Sequence, residues 1–203
     1  ISFKMNPNNS FFDLGSRKDS LFLDDYWSRY KRILFDSRDD KSILELRNQI
    51  VNIKNIKAKL IFIGNGASAS LASHAATDFT KQAKVKAIAF NDHNLITALS
   101  NDYGYENWVA KALEYYACPK DLIVFISVSG NSKNLINGLK FAKNNYFNTA
   151  SLTGSSDENY LKENSDCSLW VNSKAYNIVE SIHTIWLTLI IDLLVGSPEY
   201  FVS

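Results

Sequence analysis

A chain of 203 residues, 46% of them hydrophobic, is long enough for one well-buried domain and short for two. With 22 Lys and Arg against 21 Asp and Glu the net charge is +1, which argues against a polyanion-binding surface, so no nucleic-acid partner is expected. The two cysteines, Cys118 and Cys167, lack metal-ligand spacing and are too few for a disulfide scaffold, which points to a reducing, cytoplasmic setting.

Residues 1–18 read as irregular or tethered to another subunit, and the first twenty are too polar for a secretory leader. Asp19-Ser20 then opens a helix with Leu21, Leu23, Tyr26, Trp27, Tyr30, Ile33 and Leu34 at helical spacing. A second helix is predicted over 41–53, with Ile43, Leu44, Leu46, Ile50 and Val51 inward. Strands follow at 60–63, 85–90, 122–127, 149–152 and 168–171. Helices are predicted between them at 68–82, 93–100, 105–117 and 131–145, and the last runs over 177–195. Apolar strands alternating with helices give a three-layer α/β/α fold around a five-stranded parallel sheet, whose ligands bind beyond the carboxyl ends of the strands. Three prolines, eight glycines and no internal repeat leave no long linker, so residues 1–203 read as one domain. Within it, 1–58 form a helical N-terminal region and 59–195 the α/β core. The apolar stretch at 182–195 is interrupted by His183 and Asp192 and reads as too short and too polar to span a bilayer, so no membrane is expected. Tyr26, Trp27, Tyr30 and Trp186, on the first and last helices, exceed what one helical stripe needs and read as a homo-oligomer interface rather than core packing.

Residues 121–134, Asp-Leu-Ile-Val-Phe-Ile-Ser-Val-Ser-Gly-Asn-Ser-Lys-Asn, carry the strongest signal. An apolar run breaks into Ser127, Ser129 and Ser132 around Gly130, and a helical pattern follows. Such a turn offers unpaired backbone N–H groups at a helix N-terminus plus hydroxyl donors without fixed charge, which suits phosphate. A plainer reading is a serine-capped helix. A second loop of the same design, with Gly64, Asn65, Gly66 and Ser68 between an apolar strand and an alanine-rich helix, favours phosphate. Gly64-x-Gly66 with Ala69 at the third position and Asp92 as the ribose-binding acid also fits a dinucleotide fingerprint, so a Rossmann-type NAD-binding protein stands as an alternative. That fingerprint leaves the serine loop unexplained.

Gly64-Asn-Gly-Ala-Ser68, Ser100-Asn-Asp-Tyr-Gly104 and Ser127-Val-Ser-Gly-Asn-Ser132 together resemble the sugar-isomerase (SIS) family, and within it the phosphoheptose isomerase branch. The similarity runs in register from about residue 59 to 194. The resemblance implies a flavodoxin-like fold and conversion of sedoheptulose 7-phosphate to D-glycero-D-manno-heptose 7-phosphate, a precursor of cell-surface glycan such as lipopolysaccharide. It also implies zinc and a homotetramer joined through terminal helices, with a dimer as the fallback. Ser68, Ser127, Ser129 and Ser132 would grip the phosphorylated sugar with Gly66, while Asn65 orders the loop. Asp102 would touch sugar hydroxyls, since a carboxylate accepts from two neighbours, although Asn101-Asp102 before Gly104 is turn chemistry too.

Aldose–ketose isomerisation moves a proton between adjacent carbons through an enediol, so it needs a base, a group for the carbonyl oxygen and a hold on the phosphate. His74 and Asp78 are four residues apart and Glu180 and His183 three apart, so each pair shares a helix face. The four read as an acid–base set or as ligands of a divalent metal such as zinc; alone, each pair also reads as a surface interaction. The resemblance sets His74 on a family histidine and Asp78 on the glutamate that acts as base, one methylene shorter. It sets Glu180 on a glutamine, and Thr188 on the histidine that is partner acid and metal ligand; Asn177 and Ile178 replace an aspartate and an arginine. Threonine neither titrates near neutral pH nor replaces imidazole as a ligand. Two expectations follow. Either His183, earlier on the same helix, takes over the acid or ligand role beside Asp78 and Glu180, or the protein binds a sugar phosphate without isomerising it, like the family's adaptor branch in replication initiation.

Overall fold

The computed structural model of the chain describes residues 17–197. Its centre is a parallel sheet of β1 (Leu60–Gly64), β2 (Ala87–Ala89), β3 (Leu122–Ser127), β4 (Asn148–Thr153) and β5 (Cys167–Trp170), in the order β2-β1-β3-β4-β5. Every residue of β1 and β3 is buried, as unbroken apolar strands require when helices cover both faces. The register sets Leu60 beside Leu122 and Gly64 beside Ile126, so the glycine loop and the serine loop leave the sheet side by side. The chain passes from β1 outward to β2 and then crosses back to β3, which makes the crevice between these two loops the topological switch point.

The helices are α1 (Arg17–Asp36), α2 (Asp40–Asn55), α3 (Ala67–Lys81), α4 (His93–Tyr103), α5 (Trp108–Tyr116), α6 (Lys133–Asn144), α7 (Tyr160–Asn164) and α8 (Tyr176–Val195). Alternate strand residues feed two cores, as the period of two demands. Leu60, Phe62, Val124 and Leu152 pack with Ile50 of α2, Phe79 of α3 and Ile182 of α8. Ile61, Ile63, Ile123 and Phe125 pack with Trp108, Leu113, Leu135 and Leu139. At the opposite end of the sheet, buried Asp121 accepts the backbone N–H groups of Lys59 at 2.7 Å and Cys118 at 2.8 Å, which pins the starts of β1 and β3.

Several elements differ from expectation. The segment expected to be irregular lies outside the described residues up to 16, and helix α1 already begins at Arg17. β2 is only three residues long, because the Val85 N–H is taken by the Phe79 carbonyl at the end of α3. α4 extends to Tyr103, so Asp102 sits in a helical last turn, and Gly104 at φ 83° stops the helix. α8 begins at Tyr176 and spans 20 residues, which by length and composition would suffice to cross a bilayer, contrary to the shorter reading. Its Ile178, Val179, Ile182, Leu187 and Ile190 are instead buried in the larger core. Trp186 goes with them at 2% exposure, so it is mainly a core residue that also lines the groove between α1, α2 and α8, whereas Trp27 on α1 is 65% exposed.

Candidate functional site

The two loops at the switch point begin helices without a side-chain cap. Gly66, which has no side chain to offer, precedes α3, and Ser132 precedes α6 with its hydroxyl bonding no backbone N–H of its helix. Asp39, Asp92 and Asn159 cap α2, α4 and α7 through their side chains, while α5 and α8 also start without a side-chain cap. The first N–H groups of α3 and α6 thus carry no side-chain cap, and the positive ends of both helices face the same crevice. Gly64 is required here, since a Cβ would lie 2.6 Å from the Ser68 backbone. This close approach packs the start of α3 on the strand end.

The serine loop is braced from below. Ser127 Oγ, buried, accepts the Gly130 N–H at 3.1 Å, and Ser129 Oγ accepts the Asn131 N–H at 3.3 Å. Gly130 has φ 64°, and any Cβ there would collide with Asn159. The short helix α7, not foreseen from the sequence, supplies the brace: Tyr160 N–H donates to Asn131 Oδ1 at 3.0 Å and Leu161 N–H to the Gly130 carbonyl at 3.1 Å. Asn65 bridges to the other loop by a reciprocal amide pair with Asn134, at 3.1 and 2.9 Å. Tyr105 donates its hydroxyl to Asn65 Oδ1 at 3.2 Å, which brings the segment after α4 against the glycine loop. Asp102 lies nearby in sequence but is exposed, its carboxylate accepting from Asn101 Nδ2 at 3.0 Å.

Beside Ser68 opens a cleft of about 480 Å³ between α3 and α8. Ala67, Ser70, Leu71 and His74 line one wall, and Asn177, Glu180, Ser181 and Thr184 the other. Both sets follow the i, i+3, i+4, i+7 pattern, so each is one helical stripe. Asp78 and Thr188 are the next positions on these stripes. Asp78, half-buried, meets His74 Nε2 at 3.2 Å, and the Thr188 hydroxyl is spent within its helix on the Thr184 carbonyl at 3.0 Å. Tyr30 of α1 hydrogen-bonds Ser181 of this wall, its hydroxyl 3.2 Å from Ser181 Oγ.

His183 is the main correction. It stands about 100° around the helix from Thr184, off the cleft stripe and on the buried one. Its side chain is fully buried, and Nε2–H donates to the Thr153 carbonyl at 3.1 Å, which leaves Nδ1 without a partner. Burial pushes this imidazole down to about 4, only partly offset by the Thr153 carbonyl. It is neutral at pH 7 and faces the sheet, so it joins neither Asp78 and Glu180 as an acid nor a metal site. Among the described residues no three His, Cys, Asp or Glu side chains converge for a metal ion. The expected set of His74, Asp78, Glu180 and His183 therefore does not fit zinc within one chain, which wants three or four donors. The dinucleotide alternative also fails at its acid. Asp92 accepts the Asn94 and Leu95 N–H groups as the cap of α4, and the strand order is not that of the dinucleotide fold.

Comparison with known proteins agrees with this geometry. The SIS domain family matches residues 25–154, from within α1 to the end of β4. A phosphoheptose isomerase of Helicobacter pylori (strain HPAG1) is 36% identical over 142 residues, 67% of this chain and 73% of that protein. The structure of a phosphoheptose isomerase from Francisella tularensis superposes with a TM-score of 0.79 at 21% identity, covering 88% of this chain and 99% of that one. The Vibrio vulnificus NanR protein complexed with ManNAc-6P superposes with a TM-score of 0.57 at 20% identity, covering 89% of this chain and 65% of that one. A glycine loop and a serine loop joined at the switch point, with a helix-lined cleft beside them, occur here on a chain with this ancestry: it belongs to the SIS domain family, in the phosphoheptose isomerase branch.

Proposed function

We propose that this protein is an aldose–ketose isomerase of phosphorylated sugars, with sedoheptulose 7-phosphate as its favoured substrate and a heptose 7-phosphate for cell-surface glycan synthesis as its product. The observation that carries the reading is the pairing of two uncapped helix starts at one crevice with a His74–Asp78 pair on the adjoining wall. The phosphate would sit on the N-termini of α3 and α6, held by Ser129 and Ser132. Asp78, oriented by His74, would take the proton from the sugar carbon, and Glu180 across the cleft would handle the oxygen. A cytoplasmic setting suits a phosphorylated substrate.

The second reading, a sugar-phosphate-binding protein without turnover, has its own support. Glu180 is the one titratable side chain that α8 presents to the cleft, since His183 is turned away and Thr188 bonds its own helix. An assay of isomerisation with sedoheptulose 7-phosphate, with and without added zinc, separates the two. Asp78→Asn is expected to abolish turnover and leave sugar-phosphate affinity within about twofold, because base and phosphate grip sit on different elements. Asp78→Glu with Thr188→His is expected to raise turnover, by extending the base and adding an imidazole on the cleft stripe. Micromolar affinity without turnover would establish the binding reading.

A further inference from the structure

Asn65 stands where the two loops meet, and its amide is almost fully occupied. Oδ1 accepts from Asn134 Nδ2 at 2.9 Å and from the Tyr105 hydroxyl at 3.2 Å, while Nδ2 donates to Asn134 Oδ1 at 3.1 Å. A carboxamide has two acceptor sites and two N–H donors. Both acceptor sites and one N–H are used, which leaves one N–H. Asn134 is 1% exposed in the first turn of α6, two residues after Ser132. A buried carboxamide is costly unless paired, and the reciprocal pair recovers one donor and one acceptor on each side. The pair therefore clips the glycine loop to the helix that starts at the serine loop. Tyr105 is 54% exposed and adds the segment after α4 as a third support.

We propose that Asn134 and Tyr105 are positioning residues of the sugar-phosphate site. They hold Asn65 with a single N–H available to a ligand, and they set the gap between the two helix N-termini that share the phosphate. Neither residue need touch the ligand. This inference rests on the phosphorylated-sugar reading above.

The test is calorimetry of the full chain with sedoheptulose 7-phosphate and, separately, ribose 5-phosphate. The variants are Tyr105→Phe, Asn134→Ser, Asn65→Ala and the double variant Asn65→Ala/Asn134→Ser. Tyr105→Phe should weaken binding roughly three- to tenfold with an unchanged melting temperature, since it removes one exposed hydroxyl. Asn134→Ser should weaken it about tenfold or more, and the double variant should bind no more weakly than Asn65→Ala alone, because Asn134 acts through Asn65. Asn134→Ser will also lower stability, so the surface variant keeps the test independent of folding. If wild type binds and Tyr105→Phe binds equally well, or the two asparagine losses simply add, the proposal is overturned alone. A wild type that binds neither sugar phosphate removes the functional reading, and the proposal with it.

Discussion

Ser132 sits at the N-cap of α6 with extended backbone, φ −66° and ψ 126°, yet its hydroxyl caps nothing. A serine at this position ordinarily satisfies an N–H of its own helix, worth about 1 kcal/mol. Leaving that bond unmade is reasonable where an anion does the capping. Ser129→Ala with Ser132→Ala is therefore expected to weaken sugar-phosphate affinity tenfold or more, since a hydrogen bond to a charged acceptor contributes roughly 1.5–3 kcal/mol. Isothermal titration giving the wild-type constant would remove these hydroxyls from the site. The place of these serines, at the carboxyl end of β3 and the start of α6, was legible in the sequence because they follow an unbroken apolar strand and precede a helical pattern. Asn134 was not, because a polar residue in a helix's first turn reads as solvated until the partner loop is seen beside it.

At the scale of elements, α8 does two jobs on two stripes. Asn177, Glu180, Ser181 and Thr184 face the cleft, and Val179, Ile182, His183 and Trp186 face the sheet. Sequence spacing put Glu180 and His183 on one helix face, but a separation of three still spans 60° around the axis, and that difference decides which stripe a side chain joins. The apolar strands and long helices were legible from periodicity. α7 was not, since five residues carry too little pattern, and β2 was overestimated at its start, where the Val85 N–H bonds to α3 instead of the sheet. His183 ties α8 to β4, and its pKa, lowered from 6.5 to about 4, makes that tie pH-dependent. The unfolded chain takes up a proton near pH 6.5 that the folded chain refuses until about pH 4. Stability from this group is full above pH 6.5, falls as the pH drops and levels off near 4, a loss of up to about 3 kcal/mol. His183→Leu should flatten this part of the acid limb in melting temperature against pH. The Thr153 carbonyl would keep its bond from the Val171 N–H at 2.9 Å, so the substitution orphans no carbonyl. An identical acid limb in the variant would assign the loss to carboxylates.

For the whole molecule, the telling feature is apolar surface that one chain leaves uncovered. α1 rests on α8 through the partly buried side chains of Tyr30, Ile33 and Leu34, which pack against the larger core. Its other sides present Leu21, Phe22, Leu23, Trp27 and Phe35 to solvent. Next to it Leu34, Phe35, Ile43, Leu44, Ile185, Trp186, Leu189 and Leu193 line an apolar groove of about 370 Å³, with Arg38 and Asp40 also on its wall. Scattered exposed leucines need no explanation, but an apolar surface shared by α1, α2 and α8, with Phe22, Trp27 and Phe35 of α1 as exposed aromatic anchors, has the composition of a subunit interface. Full burial of the five exposed residues of α1 would be worth roughly 8–15 kcal/mol, at about 1.5–3 kcal/mol each. That is comparable with the 4–15 kcal/mol or so that association costs in lost freedom, before any contribution from α8. A second copy is the natural cover, and the expected assembly is a homotetramer, with a dimer if only one of the two helical faces is used. Light scattering at micromolar concentration should report the oligomer, and Trp27→Asp with Leu189→Asp should shift it to smaller species while leaving the α/β core folded by circular dichroism. A wild type that scatters as a monomer would refute the interface and leave the exposed face of α1 to some other partner.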